Sequence, residues 1–186
     1  IEEVTAPIWN ILKEKIVVSV AAGWNFSKYE ALMPAGTRLI CTIPNTPVSV
    51  GEGIIVCENR HSLTEEDYQA FEELFSSIAV IQPVETSQLS VAGTLSGCGP
   101  AFASMFIEAL ADGAVKHGLP RAAAYRLASQ MIAGTGKLQL QTGTHPGAMK
   151  DAVCSPGGTT IVGVSVLEEK GFRAAVIDAI DAIESK

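Results

Sequence analysis

The stretch KIVVSVAAGWNFSKYEALMPAGTRLICTI, Lys15 to Ile43, decides the fold class of the first half of the chain. Its two ends, Lys15 to Val20 and Arg38 to Ile43, are short apolar runs of the kind found in buried strands. Between them a small-residue turn precedes a predicted helix over Phe26 to Leu32, and a proline and a glycine end that helix. A strand, a helix and a second strand in this order predict a parallel pair joined by a crossover.

The same alternation continues on both sides of this stretch. Val4 to Leu12 is predicted as a helix before the first strand. After the second strand come a proline-containing loop, PNTPV, and two further apolar runs, Gly53 to Cys57 and Ile78 to Val84. Thr64 to Ser77 lies between these runs and begins with a near capping box, which predicts a helix. The first half therefore predicts a largely parallel sheet with helical crossovers.

After Thr86 the pattern changes from strands to helices. Prolines lie near the predicted helix starts and glycines near the predicted ends, where each residue is best tolerated. The predicted helices cover residues 87–95, 99–117, 120–140, 146–153, 156–169 and 172–185. We place a domain boundary after residue 85, between an α/β domain over residues 1–85 and an all-helical domain over residues 86–186.

The predicted helix from Pro100 to Lys116 is apolar around nearly its whole circumference. Its polar residues occupy one narrow stripe, at Ser104, Glu108, Asp112 and Lys116. A helix of this kind is buried, and a small helical domain rarely encloses one by itself. The sequence favours an oligomer in which this helix lies between subunits, and the alternative is the central helix of a monomeric bundle.

Composition excludes several classes of function. The chain has 186 residues, of which 47% are apolar, so it can bury a substantial core. A net charge of −7 and the lack of any basic run argue against nucleic-acid binding, which needs clustered Lys and Arg. The sequence shows no signal peptide and no run of eighteen apolar residues. We expect a soluble, cytoplasmic protein without a membrane partner.

The cysteines and histidines do not indicate a metal site. The 4 cysteines match no metal-binding spacing, and the 3 histidines are far apart in the sequence. Ordinary reduced thiols fit a cytosolic compartment. The segment GCGPAF, starting at Gly97, resembles a dinucleotide fingerprint, but no apolar strand precedes it and its last residue is Phe.

The segment VCSPGGTTIVGV, Val153 to Val164, places two glycines and two threonines at the start of a predicted helix. If that helix begins at Pro156, Ser155 is its N-cap. The backbone N–H groups that follow have no partner within the helix, and they belong to Gly157, Gly158 and Thr159. Together with the helix dipole they form a site for a carboxylate or a phosphate. A tight corner between two helices explains the glycines equally well.

Four segments in order, SGCGPAF, GLPRAAAYRLA, THPGAMKDAVCSPGGTTI and VLEEKGFRAAVIDAI, closely resemble the pyrroline-5-carboxylate reductase family. VSVAAG and PNTPV in the first half resemble it as well, so the likeness covers essentially the whole chain. It implies reduction of 1-pyrroline-5-carboxylate to L-proline with NADPH or NADH, the last step of proline biosynthesis. It also implies a Rossmann domain followed by a helical dimerisation domain, with dimers that often assemble into decamers.

The resemblance implies a role for particular residues of this chain. The substrate carboxylate would be held by Ser155, Gly157, Gly158 and Thr159. The hydroxyl of Thr160 would face the ring nitrogen and stabilise it as its charge changes during hydride transfer. The cofactor would be lined by Val20, Ala21 and Ala22 after the first strand and by Asn45, Thr46 and Pro47 in the PNTPV loop. His145, before Pro146, is better explained as a helix-start residue than as an acid, and Cys154 is left with a packing role.

Two alternatives stay open. Another NAD(P)-dependent imine or 3-hydroxyacid oxidoreductase has a related architecture, although the lysine expected of the latter is missing from Gly97 to Ser104. The chain also begins at Ile1, without Met, in what reads as the middle of a helix. We therefore expect a fragment that lacks the first strand and the GxGxxG turn, and whose own role is helical assembly without activity.

Overall fold

The computed structural model describes residues 1–13 and 15–186. The described chain forms two compact units, Ile1–Pro100 and Ala101–Lys186. The predicted boundary after residue 85 follows the change from strands to helices and stays a prediction.

The first unit contains a four-stranded sheet with helices between its strands. Strands lie where the apolar runs predict them, with ends shifted by at most one residue. The predicted helix over Val4 to Leu12 is instead divided by a 3-10 turn. In chain order the elements are α1 (Glu2–Thr5), α2 (Trp9–Leu12), β1 (Ile16–Ser19), α3 (Phe26–Glu30), β2 (Arg38–Pro44), β3 (Gly53–Glu58), α4 (Glu65–Phe75) and β4 (Ala79–Val84).

The strand order is β1-β2-β3-β4, and the middle pair is antiparallel. β1 pairs with β2 in parallel, with Ile16 opposite Arg38, and β3 pairs with β4 in parallel. The expectation of a largely parallel sheet is confirmed by two of the three pairs, and the exception is β2 with β3, where Ile43 lies opposite Val56. The connection over residues 45–52 explains the difference, because it is shorter than the dozen or so residues that a parallel crossover needs.

Apolar side chains cover both faces of the sheet. Ile40 belongs to a cluster with residues of β3 and α4, whereas its neighbours Leu39 and Cys41 pack with Phe26 and Tyr29 of α3. Successive side chains of a strand point to opposite faces, so this alternation places α3 and α4 on opposite sides. The predicted capping interaction is present at the start of α4, where Thr64 and Asp67 exchange side-chain hydrogen bonds with each other's backbone N–H groups.

A continuous helical stretch follows β4. It consists of a 3-10 turn (Thr86–Gln88), α5 (Leu89–Gly93), a π-helical turn (Thr94–Cys98) and α6 (Gly99–Lys116). By length and a mean hydropathy of 1.2, Thr86–Lys116 would also suffice to cross a membrane. This is weak evidence, because the core helix of a soluble protein passes the same test. The remaining helices are α7 (Arg121–Thr142), α8 (Pro146–Ala152), α9 (Thr159–Glu169) and α10 (Phe172–Glu184).

The helical unit buries very little apolar surface within one chain. Among residues 101–186, all of them described, the buried ones are Ala111, Ala124 and Ala128. Met105 on α6 is 69% exposed. A single chain thus does not enclose α6, contrary to the monomeric-bundle alternative.

Candidate functional site

The segment from Ser155 to Gly158 forms a tight turn that precedes α9. The backbone N–H of Gly158 donates to the carbonyl oxygen of Ser155 at 3.0 Å, and Gly157 has φ of 69°. Proline in the second place and a positive φ in the third are typical of a type II turn. The prediction that Ser155 caps a helix starting at Pro156 is therefore wrong. The left-handed backbone of Gly157 interrupts the helix, which begins at Thr159 with Gly158 as its N-cap.

Each of the two glycines is required by this turn for its own reason. Gly157 supplies the positive φ, which costs other residues about 1–2 kcal/mol. At Gly158 an added Cβ would lie 2.5 Å from Oγ and 3.1 Å from the carbonyl oxygen of Ser155. The turn itself therefore leaves no room for a side chain at Gly158. The alternative of a tight corner between helices does not account for Gly157, which has no neighbour within 4 Å of such a Cβ.

The start of α9 leaves backbone donors open to a ligand. The N–H groups of Thr159, Thr160 and Ile161 have no partner within the helix, and the N-cap provides no side-chain acceptor. Thr159 and Thr160 are exposed, and their hydroxyls have no protein partner in the described part of the chain. The helix dipole adds partial positive charge at this end. The arrangement can hold an anion with backbone and hydroxyl donors, and the backbone donors are displaced by two residues from the predicted set.

His145 and Cys154 lie on the amino-terminal side of the segment from Ser155 to Gly158. The Nδ1 atom of His145 accepts from the backbone N–H of Gly147 at 3.0 Å, so this side chain caps α8 as its position predicts. Cys154 is half-buried. Lys150, the nearest basic residue in the sequence, pairs with Asp151. Charge at the start of α9 thus comes mainly from the backbone.

A cavity of about 470 Å³ lies in the first unit, at the carboxyl ends of β1 and β2. Open α/β sheets bind their ligands at this edge. Ala22, Gly23 and Trp24 line it from the segment after β1, and Gly93 and Thr94 line it from the helical side. It is a concave site bounded by small residues, one aromatic ring and a few polar groups.

Of the predicted cofactor residues, all of them described, Ala22 lines this cavity. Val20 is 63% exposed, and the backbone N–H of Ala21 donates to the hydroxyl of Ser19 at 3.3 Å. Thr46 and Pro47 lie in a 3-10 helix, Thr46–Val50, which is not part of the lining. Their contact with a cofactor stays a prediction.

Asn45 bonds to two other segments of the protein. Its Oδ1 accepts from the backbone N–H of Ile54 at 2.9 Å, and its Nδ2 donates to the carbonyl oxygen of Ser96 at 3.2 Å. Ile54 belongs to β3 and Ser96 to the π-helical turn. The side chain predicted to meet the cofactor thus connects β3 with one wall of the cavity.

Sequence reasoning missed Glu58, which is 0% exposed at the end of β3. Its carboxylate accepts from the backbone N–H of Phe26 at 2.6 Å and from the hydroxyl of Thr86 at 2.5 Å. Thr86 lines the cavity directly, and Asn25, before Phe26, does so as well. A buried acid thereby fixes two sides of the cavity. A charged residue at a strand end carries no sequence signal for this role.

The two cysteines of the sheet are shielded from solvent. Cys41 and Cys57 are buried, and burial raises the pKa of both thiols, that of Cys41 to about 12 with a smaller contribution from the negative charge of Glu58. In the described residues no group of three or more His, Cys, Asp or Glu side chains is placed to hold a metal ion.

Comparison with known proteins gives consistent matches. Residues 86–186 match the family model described as pyrroline-5-carboxylate reductase dimerisation. The pyrroline-5-carboxylate reductase of Treponema pallidum is 45% identical over 172 residues, covering 90% of this chain and 65% of that protein. The Escherichia coli enzyme of the same name is 44% identical over 168 residues, covering 90% of this chain and 62% of that protein. The chain thus spans 62–65% of the length of these relatives.

Two solved structures share the fold. The pyrroline carboxylate reductase of Plasmodium falciparum, solved with NADP bound, has a TM-score of 0.87 and 31% identity, covering 98% of this chain and 73% of that one. The Coxiella burnetii pyrroline-5-carboxylate reductase has a TM-score of 0.88 and 28% identity, covering 98% of this chain and 68% of that one. The chain therefore belongs to the pyrroline-5-carboxylate reductase family.

Proposed function

We propose that the protein containing this chain reduces 1-pyrroline-5-carboxylate to L-proline by hydride transfer from NADPH or NADH. The observation that carries the proposal is the open start of α9, where the substrate's carboxylate finds backbone donors and two threonine hydroxyls. The names of the relatives support the reaction, and the NADP in the Plasmodium structure supports the type of cofactor.

The turn and the first residues of α9 hold the substrate in this proposal. The N–H groups of Thr159 and Thr160 point out of the helix start and suit a carboxylate. Ser155 supplies a hydroxyl beside it, and Gly157 and Gly158 keep the approach free of side chains. The hydroxyl of Thr160 positions the ring nitrogen. Positioning of this kind supplies much of the rate in hydride transfer.

The cavity of the sheet unit fits part of a dinucleotide. Its volume of about 470 Å³ lies within the range of small-molecule sites. Ala22 and Gly23 allow a ring to approach the backbone closely, and Trp24 offers an aromatic face. The dinucleotide supplies the hydride when it is bound. The residues of this chain orient it and exclude water from the reacting atoms.

Self-association is part of the proposal. A groove of about 520 Å³ in the helical unit is bounded by Phe102, Met105 and Phe106 of α6 and by Phe172 and Val176 of α10. Met105, Phe172 and Val176 are exposed in one chain, both phenylalanines of α6 are half-buried, and the family model that matches residues 86–186 describes dimerisation. A second copy that covers α6 would remove this surface from water. Assembly into a decamer and a cytoplasmic location are further parts of the proposal.

The experiment is an assay of NADPH oxidation at 340 nm with two substrates. Because the start of α9 binds the carboxylate, 1-pyrroline-5-carboxylate should be reduced with a much higher kcat/KM than 1-pyrroline, which has none. Thr160→Val should lower kcat about 10- to 1000-fold, as expected for the loss of ~1.5–4 kcal/mol of positioned hydrogen bonding.

Ser165→Ala is the matched control, since its hydroxyl bonds to the carbonyl oxygen of Ile161 within the same helix at 2.9 Å. Equal rates with the two imines would favour a general imine reductase. Full activity of Thr160→Val would remove that hydroxyl from the mechanism.

A further inference from the structure

We infer that Asn45 is a positioning residue, which fixes the π-helical turn Thr94–Cys98 and thereby sets the affinity of the cavity for a dinucleotide without touching it. The inference rests on the proposed function only for the identity of the ligand. The hydrogen bonds of Asn45 are a property of the protein alone.

The π-helical turn forms one wall of the cavity. Thr94 and Cys98 belong to the turn, Gly93 directly precedes it, and all three line the cavity. An added Cβ on Gly93 would lie 2.6 Å from Cδ1 of Ile43, so the helix packs closely on the end of β2. A small displacement of the turn would therefore change the width of the cavity.

A π-helical turn leaves carbonyl groups without their usual α-helical partners, and these need other donors. Two side chains supply them here. The hydroxyl of Ser96 donates to the carbonyl oxygen of Ala92 at 2.8 Å, and Nδ2 of Asn45 donates to the carbonyl oxygen of Ser96 at 3.2 Å. Ser96 is 7% exposed, so water competes poorly for these groups.

The two partners of Asn45 require an amide side chain at this position. Ile54 presents an N–H donor and Ser96 presents a carbonyl acceptor, so the side chain must accept at one end and donate at the other. Aspartate has the same shape but accepts at both ends. Asn45→Asp would keep the bond to Ile54 and place a carboxylate oxygen against the Ser96 carbonyl. The substitution removes the contact to the turn selectively.

Asn45 itself does not line the cavity, although it follows β2 directly. A direct contact and a positioning role thus make different predictions. Loosening the turn from its other side, by Ser96→Ala, should reproduce the effect of Asn45→Asp if the turn is the cause. It should have no effect if Asn45 bonds to the dinucleotide.

The test compares Asn45→Asp and Ser96→Ala with Gln82→Glu as matched control. Gln82 is exposed on β4, and its Nε2 donates to the carbonyl oxygen of Pro83 at 3.0 Å, so this change also sets a carboxylate against a carbonyl oxygen, but outside the lining of the cavity. The first readout is hydrogen exchange of residues 89–100 in the protein without ligand. We expect faster exchange there in both test variants and wild-type exchange in the control.

The second readout is the Kd of NADPH and of NADP⁺ by calorimetry, with KM measured for each substrate. We expect Kd and the dinucleotide KM to rise about tenfold in both test variants, as for the loss of one hydrogen bond, with the imine KM unchanged. Weaker binding in Asn45→Asp with wild-type exchange would show direct contact and overturn the inference. Faster exchange with unchanged Kd would overturn it too. If the wild type binds neither nucleotide, the proposed function fails, whereas the exchange measurement still decides whether Asn45 holds the turn.

Discussion

Replacing Glu58 with alanine should destabilise the sheet unit more than most single substitutions. The carboxylate is fully buried and accepts two hydrogen bonds, from the N–H of Phe26 and the hydroxyl of Thr86. Alanine leaves both donors without an acceptor and removes the packing of the longer side chain. Two segments, the start of α3 and the start of the helical stretch, then lose the side chain that joins them to the end of β3.

The magnitude follows from the two bonds. A hydrogen bond to a charged group contributes about 1.5–3 kcal/mol, so two contribute at most ~6 kcal/mol. Thr86 is half-buried and can turn towards water, whereas the N–H of Phe26 is buried and cannot. We therefore expect Glu58→Ala to cost about 3–4 kcal/mol. Glu58→Gln keeps the shape, accepts from Phe26 and donates to the Thr86 hydroxyl, so it should cost only about 1 kcal/mol.

The assay is urea unfolding followed by the fluorescence of Trp24, which packs on Tyr29 with ring centroids 5.0 Å apart. A Trp9→Phe background leaves Trp24 as the sole tryptophan signal. The free energy of unfolding at zero urea is then compared among wild type, Glu58→Ala and Glu58→Gln. A cost below 1 kcal/mol for alanine, or equal costs for the two variants, would refute the hydrogen-bond reasoning.

Three further predictions concern the turn, the assembly and the pH range. Gly158→Ala should raise the KM for the imine by more than tenfold, since the new methyl group displaces Ser155; unchanged kinetics would show that the turn yields freely. Met105→Glu should shift sedimentation towards smaller species, because it charges an exposed apolar surface of α6, and an unchanged profile would place the interface elsewhere. Burial raises the pKa of both Cys41 and Tyr68 to about 12, above the ordinary 9.0 and 10.0. Their contribution to stability is complete below pH 9.0 and is lost as pH rises towards 12, so urea midpoints should fall over that range; a flat profile would contradict it.

The strands were predictable because their signals are local. Apolar runs with proline and glycine between them locate β1 to β4 to within one residue. The antiparallel direction of β3 relative to β2 was not predicted, although the short connection over residues 45–52 carries that information. At α9 two local rules compete. Proline favours the first helical position, but Pro156 followed by Gly157 also favours a type II turn, and the turn forms.

The polar contacts around the cavity could not be predicted from residues that are neighbours in the sequence. Asn45 and Ser96 are 51 residues apart, and Glu58 meets partners 32 and 28 residues away. These pairings leave no periodic or compositional pattern in the sequence, because they depend on which segments the sheet brings together. The motif PNTPV did identify Asn45 as important, through resemblance to a family. The structure adds the two hydrogen bonds of this side chain, to Ser96 and Ile54, and its contact with a cofactor stays a prediction.

The helical unit buries few of its residues within one chain, and this determines how its stability responds to dilution of the protein. The sheet unit carries its own apolar core, whereas only three alanines are buried in residues 101–186 of one chain. A fold that draws its core from a second copy has a stability that depends on the concentration of its own chain. Heating at a series of protein concentrations should therefore separate the two units. The midpoint of the helical unit should rise with each tenfold increase in concentration, and that of the sheet unit should stay where it is.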